Sequence, residues 1–262
     1  MHNSDTTSLL TNTEKKGAIG LISFNRPDKL NALDLAMRDS IAKAVSLFSA
    51  DEEVAVIVIT GGDKVFAAGA DLNLLVNKGA QQVADIDLGQ YWAPLLNCSK
   101  PVIAAVSGYA LGAGCELVMM CDMVVADSSA RFGQTECNVG IMPGAGGTQR
   151  LVRAVGKAVA SMMLMTGEML TGEQAYQLGL VSDVVADGEA LNRAMALAKK
   201  VSQKPPKAIK AIKRVLRQGA DLPLDMSLAL ENREFLLLFD TQDKTEGMQA
   251  FLDKRKPNFI GK

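Results

Sequence analysis

The chain has 262 residues, 48% of them hydrophobic, with 28 basic and 29 acidic side chains and a formal charge of -1. That supplies core for one large domain or a domain with an appendage, and the near-neutral balance excludes broad attraction to nucleic acid or an anionic membrane. The single histidine, His2, excludes Ser-His-Asp catalysis, Cys-His catalysis and histidine-containing zinc sites in the folded body.

In chain order, the polar start MHNSDTTSLLTNTEKKG has neither the apolar core of a secretory leader nor an Arg-rich amphipathic pattern, so cytoplasm is the expected compartment. The runs AIGLISFN, EVAVIVIT, PVIAAVSG and MVVADSS are rich in β-branched residues and bounded by Gly, Pro or Asp, and they predict buried strands. Helical patterns fall between and after them, over 33–50, 115–120, 147–155 and 172–178, the second with a start around Ala113 or Gly114 in the approach GYALGAGCEL. This alternation predicts an α/β fold. From Glu189 the strand signal stops, and four helical segments follow to the C-terminus, which predicts a helical appendage beginning near residues 190 to 200. Its apolar faces exceed what one short helix covers, so docking on the core or on another subunit is expected. In KAIKAIKRVLRQ the charges of Lys207, Lys210, Lys213, Arg214 and Arg217 share one side, the pattern of a solvated face, with phosphate binding as the alternative. The most apolar stretch, 111–126, is interrupted by Glu116 and Asp122 and falls short of a membrane span. Cys98, Cys115, Cys121 and Cys137 show no CxxC spacing and read as reduced core thiols.

Three segments carry candidate chemistry. FAAGADL, residues 66–72, follows a strand with small residues that let a ligand approach the backbone, although taken alone the segment reads first as a tight turn with Asp71 as the N-cap of a helix. GYALGAGCEL runs from a strand into a helix start, whose unpaired N–H groups suit an oxygen gaining negative charge. Glu116 stands there among apolar neighbours, as a site acid or as a first-turn acid stabilised by the helix. Glu136 precedes the glycine-rich PGAGGTQR, as a second site acid or a surface loop acid. Carboxylates in apolar surroundings are costly and need a partner or a task.

FAAGADL, GYALGAGCEL, FGQTE and GIMPGAGGTQR, in this order and spacing, resemble the crotonase family of enoyl-CoA hydratases and isomerases, most like its bacterial-type hydratases. KLNALDLAM, TGEMLTGEQAYQLGLVSDVV and EGMQAFLDKRKPNF also look like that family, so the match spans nearly the whole chain. The resemblance implies a crotonase-like spiral of ββα turns over 1–195 and a C-terminal α-helical oligomerisation region over 196–262, building homotrimers or homohexamers. It implies an oxyanion hole from the N–H groups of Ala70 and Ala113, the latter standing where many relatives have Gly. It implies that Glu116 positions and deprotonates a water while Glu136 protonates C2 of a trans-2-enoyl-CoA. Substrate contacts are implied at Lys29, Leu30, Ala32, Ala68, Asp71, Leu72, Gly112 and Gly144, with Phe235 and Lys254 from the helical region. Phe235 also reads as core packing in EFLLLF and Lys254 as part of a solvated helix. The implied partner is an acyl-CoA thioester, with no metal and no separate cofactor, since coenzyme A is part of the substrate. Double-bond isomerisation on the same scaffold and non-catalytic acyl-CoA binding are the alternatives.

Overall fold

The computed structural model describes residues 9–262, so His2 lies outside the described residues. Strands β1 (Thr11–Lys16) and β2 (Ile19–Phe24) form a hairpin and lead to helix α1 (Leu35–Ala50). Then come β3 (Val56–Thr60), β4 (Val65–Ala67), the short helices α2 (Ala80–Ala84) and α3 (Ala93–Asn97), β5 (Val102–Val106), β6 (Tyr109–Leu111) and α4 (Ala113–Met120). They are followed by β7 (Met123–Asp127), β8 (Arg131–Gly133), α5 (Gly147–Thr166), β9 (Met169–Thr171), α6 (Gly172–Gln177) and β10 (Asp183–Val185). The chain ends in α7 (Ala190–Ser202), α8 (Pro206–Gly219), α9 (Leu224–Leu238) and α10 (Gln242–Leu252).

Two sheets organise the body. One has the order β1-β2-β3-β5-β7-β10 and the other β4-β6-β8-β9. In the first, β1 is antiparallel to β2 and every other pair is parallel. In the second, β4, β6 and β8 are parallel and β9 returns antiparallel. The chain passes from a long strand of the first sheet to a short strand of the second and then to a helix, as in β5-β6-α4 and β7-β8-α5. Repetition of that step is the ββα spiral.

The central strands are apolar without alternation because both faces are covered. Val56, Ile57, Val58 and Ile59 are all fully buried, and each such side chain contributes roughly 1.5–3 kcal/mol. One face packs on Met37, Ile41, Val45 and Phe48 of α1. The other packs on Ala190, Ala194 and Ala198 of α7, whose four-residue spacing presents only methyl groups to the sheet. Residues 195 and 196, where the spiral was expected to give way to the helical region, both lie inside α7.

The four apolar runs form strands as expected, each trimmed at one end or both. The helix anticipated from Asp71 is only a turn over Leu72–Leu74, because Asn73, Asn77 and Gly79 are poor helix formers. The segment 147–155 ends as predicted, since Gly156 (φ 77°, ψ 164°) breaks α5. The basic side of α8 is not simply solvated. Lys213 pairs with Asp122 at 2.6 Å and donates to the Lys100 carbonyl at 2.8 Å, and Arg214 pairs with Glu234 at 2.7 Å. These bonds fasten α8 to the sheet and to α9.

Candidate active site

The site begins with the segment after β2. Leu30 and Asn31 take left-handed backbone conformations (φ 51° and 53°), folding the chain so that Asn31 Nδ2 donates to the carbonyls of Gly61 and Val65, each at 2.9 Å. Ala68 N–H donates to Leu30 O at 3.0 Å, and Leu33 N–H donates to Gly69 O at 2.8 Å. Leu33 and Ala70 form a parallel bridge. Lys29 and Leu30 are exposed beside Ala68, and Ala32 O accepts from Arg26 Nη1 at 2.8 Å. The loop bearing Ala68 and Ala70 is thus pinned by backbone bonds on one side.

On its other side the loop meets the start of α4. A Cβ on Gly114 would collide with the Ala67 carbonyl, and one on Gly69 (φ +112°) would lie 3.2 Å from Leu111 O. Glycine is required at both for the two backbones to touch. Ala113 is the first residue of α4, where N–H groups lack an intrahelical acceptor. Neither Ala70 N–H nor Ala113 N–H has an acceptor among the described residues. Two free donors on touching loops are the composition of an oxyanion hole.

Glu116, 2% exposed, accepts at Oε1 from Ala145 N–H and Gly147 N–H, both at 2.7 Å. Gly147 opens α5 after Gly146 at φ +100°, so the carboxylate sits on that helix's positive end. A Cβ on Gly147 would stand 3.0 Å from the same oxygen. The second oxygen, Oε2, has no hydrogen bond from the described residues and is free to handle a proton.

Glu136 is half-buried at the head of a 3-10 turn over Glu136–Val139. Burial pushes its carboxyl up to about 6, with the Glu116 charge adding to the rise and a backbone hydrogen bond opposing it. Gln134, 1% exposed, directs its amide nitrogen to both oxygens at 3.3 and 3.2 Å. Gly112 (φ 47°, ψ −122°) caps α4, and a Cβ there would lie 2.9 Å from Glu136 Oε1. The same glycine therefore adjoins the Ala113 donor and the second acid. A carboxyl held near neutrality beside a hydrogen-bonded carboxylate can give a proton while its neighbour takes one.

The structure brings Glu116, Glu136, Ala70, Ala113, Gly112 and Ala68 together through these contacts, with Lys29, Leu30 and Ala32 at the rim. Asp71 spends its side chain locally, accepting from Asn73 Nδ2 at 2.9 Å and from Asn73 N–H at 3.2 Å and pairing with Arg26 at 3.4 Å. These bonds hold its carboxyl below the ordinary range. Leu72 is 46% exposed, and Gly144 is exposed with nothing within 4 Å of its Cβ position. Phe235 and Lys254 stand apart. Phe235 is 55% exposed and meets Phe239 edge-on at 5.0 Å, which removes core packing within this chain as its account. Lys254 is exposed just past α10. Sequence reasoning missed Asn31, Gln134 and Arg150, whose Nη1 supports the Ala145 carbonyl at 2.7 Å. Only their place inside LNAL, FGQTE and GGTQR could have marked them.

Comparison with known proteins agrees with this geometry. The model of the enoyl-CoA hydratase/isomerase family matches residues 14–262. The chain is 48% identical to the 2,3-dehydroadipyl-CoA hydratase of Escherichia coli over 92% of its own length and 95% of that protein's. It is 42% identical to the mitochondrial enoyl-CoA hydratase of Pongo abelii over 94% of its length and 84% of that protein's. A crystal structure of an enoyl-CoA hydratase subunit I from Geobacillus kaustophilus superposes with a TM-score of 0.94 at 42% identity, covering 97% of this chain and 98% of that one. Paired glutamates, touching glycine loops and free N–H groups on a ββα spiral thus have one common explanation: the chain belongs to the enoyl-CoA hydratase/isomerase family.

Proposed function

We propose that this protein hydrates trans-2-enoyl-CoA thioesters to 3-hydroxyacyl-CoA by syn addition of water, in fatty acid β-oxidation or related acyl-CoA catabolism. The observation that carries the proposal is the pairing of Glu116, with one free carboxylate oxygen, and Glu136, with a carboxyl near neutrality, beside two unpartnered N–H groups.

In this mechanism the thioester oxygen lies on the N–H groups of Ala70 and Ala113 and gains enolate character. Glu116 orients a water and takes its proton as the hydroxyl oxygen bonds to C3. Glu136 gives its proton to C2, and the pair then redistributes the one proton it holds. Each proton transfer contributes ~10²–10⁴-fold and the oxyanion contact a comparable factor. Lys29, Leu30, Ala32 and Ala68 would bound the coenzyme A moiety near the thioester, with Phe235 and Lys254 near its nucleotide. No metal or separate cofactor is called for.

Assembly as a homotrimer or homohexamer is supported by the apolar surface that α9 and α10 leave uncovered, where Leu236, Leu237, Phe251 and Leu252 are all more than half exposed. Cytoplasmic residence is the companion proposal; among the described residues no helix is long and apolar enough to cross a membrane.

The test is to mix the purified protein with crotonyl-CoA and follow loss of the conjugated thioester absorbance, with longer, branched and carboxyl-ended enoyl-CoAs in parallel. Hydration of at least one member is expected. Failure across the panel with retained thioester binding would leave an acyl-CoA-binding protein instead.

A further inference from the structure

The basic side of α8 carries more charge than the fold uses. Lys210, Lys213, Arg214 and Arg217 recur at three- and four-residue spacing, which stacks them on one face of the helix. Like charges at those spacings repel and weaken a helix unless something opposes them. Lys213 and Arg214 are answered by Asp122 and Glu234. Among the described residues Lys210 has neither an ion pair nor a side-chain hydrogen bond, and Arg217 has only the Asn97 side-chain oxygen, at 3.5 Å. One ammonium and most of one guanidinium are left without a task.

All four cations line one hollow of about 280 Å³ between α8 and residues 97–99. Arg214, Arg217, Asn97 and Ser99 are exposed there and Lys210 is half-buried, so the hollow is open to solvent. Among the described residues no carboxylate and no aromatic side chain lines it, and neither Asn97 Nδ2 nor the Ser99 hydroxyl has a hydrogen-bond partner. The next residue, Lys100, is 4% exposed, its ammonium donating to the carbonyls of Phe48 and Asp51 at 2.6 and 2.5 Å. Burial lowers that ammonium from its ordinary range, and the charge of Lys210 lowers it further. The charge of Lys210 is therefore felt inside the protein as well as in the hollow. A concave surface lined by one sign of charge concentrates ions of the opposite sign.

We propose that this hollow binds the diphosphate group of a small molecule, with Lys210 and Arg217 as its principal contacts. A guanidinium fork and an ammonium match phosphoryl oxygens, and the Asn97 amide and Ser99 hydroxyl supply neutral donors beside them. The volume lies just under the roughly 300–1,000 Å³ of pockets that enclose a whole small molecule, so the phosphoryl groups enter and the rest of the ligand stays outside. With no aromatic ring in the wall, recognition is of the phosphate and not of a base. Free nucleotides and coenzyme A both carry a diphosphate. The proposal does not rest on the hydratase reading, and no residue of the glutamate site takes part in it.

The experiment titrates inorganic pyrophosphate, ADP and coenzyme A into the whole protein in a calorimeter, at about 0.1 M salt, where distant surface charges are screened. It compares the wild type with Lys210→Gln and Arg217→Gln combined, with Lys210→Arg, and with Lys204→Gln and Lys207→Gln combined. That last pair removes the same charge from exposed positions outside the hollow. Saturable binding is expected in the wild type, weakened at least ~10-fold by loss of the Lys210 and Arg217 contacts and little changed in Lys210→Arg or the control pair. Lys210→Gln alone breaks no bond of the fold and should weaken binding in the same direction with an unchanged melting temperature. Dependence of pyrophosphate and ADP on Lys210 and Arg217 would assign the hollow to free phosphate ligands; dependence of coenzyme A alone would assign it to the diphosphate of that molecule. Equal loss in the control pair, no phosphate ligand that senses Lys210 and Arg217, or tighter binding of a polyglutamate peptide than of pyrophosphate would each overturn the proposal.

Discussion

The backbone N–H of Gly147 donates to Oε1 of Glu116 at 2.7 Å, joining the start of α5 to the first helical turn of α4. With the parallel bond from Ala145, it consumes one carboxylate oxygen in structure and leaves the other for chemistry. Glu116→Gln can keep both bonds through its amide oxygen but cannot take a proton. Turnover of crotonyl-CoA should fall by roughly 10²–10⁴-fold with the melting temperature changed by only a few degrees. A near wild-type rate in steady-state assays would remove Glu116 from the base role.

Gly112 carries two demands at once, a backbone conformation (φ 47°, ψ −122°) that L side chains rarely adopt and a Cβ position 2.9 Å from Glu136 Oε1. Gly112→Ala should therefore lower stability by about 1–3 kcal/mol and reduce kcat at least ~10-fold by displacing the second acid. Gly17→Ala is the control. Gly17 also has positive φ (+60°) but open space around it, in the β1–β2 turn, so it should lose stability in urea titrations without the matching loss of rate.

The raised carboxyl of Glu136 fixes two pH dependences. Hydration neither consumes nor releases a net proton, so both directions require the same singly protonated glutamate pair. The kcat/KM values for hydration and dehydration should accordingly fall in parallel as pH rises through about 6. A profile flat across pH 5 to 7 would contradict Glu136 as the donor. For stability, folding favours the neutral form. The cost of ionising Glu136 is absent below its ordinary value of 4.5 and complete above about 6. Glu136→Gln, which cannot ionise, should gain melting temperature relative to wild type across that window and hold the gain above it, while losing activity by orders of magnitude.

On α10, Phe251 is 84% exposed and Leu252 73%, beside Met248 in an apolar hollow of about 410 Å³. The proposed assembly through this face predicts that the wild type runs as a trimer or hexamer in light scattering and that replacing Phe251 and Leu252 together by Asp yields monomers. An unchanged mass would place the subunit interface elsewhere.

The strands over 19–24, 56–60, 102–106 and 123–127 were legible because strands buried on both faces must be continuously apolar. The three-residue strands β4, β6, β9 and β10 were not, since three residues define no period. β1 (TNTEKK) was missed because it is a polar edge strand, with five of its six residues exposed. The helix start at Ala113 was visible through the small residues before it. The use of Asp71 was not, because the same aspartate suits a cap, an ion pair or a ligand until its neighbours are placed.

What the sequence determined by itself is the family's order of motifs and the presence of two acids after glycine-rich approaches, since residue type and spacing carry both. Only tertiary structure decided how those acids differ. Glu116 is caught by N–H groups some thirty positions along the chain, while Glu136 is desolvated beneath Gly112 and felt by Glu116. Proton affinity depends on charges and dipoles within a few ångströms, and here those neighbours come from distant segments that only folding brings together.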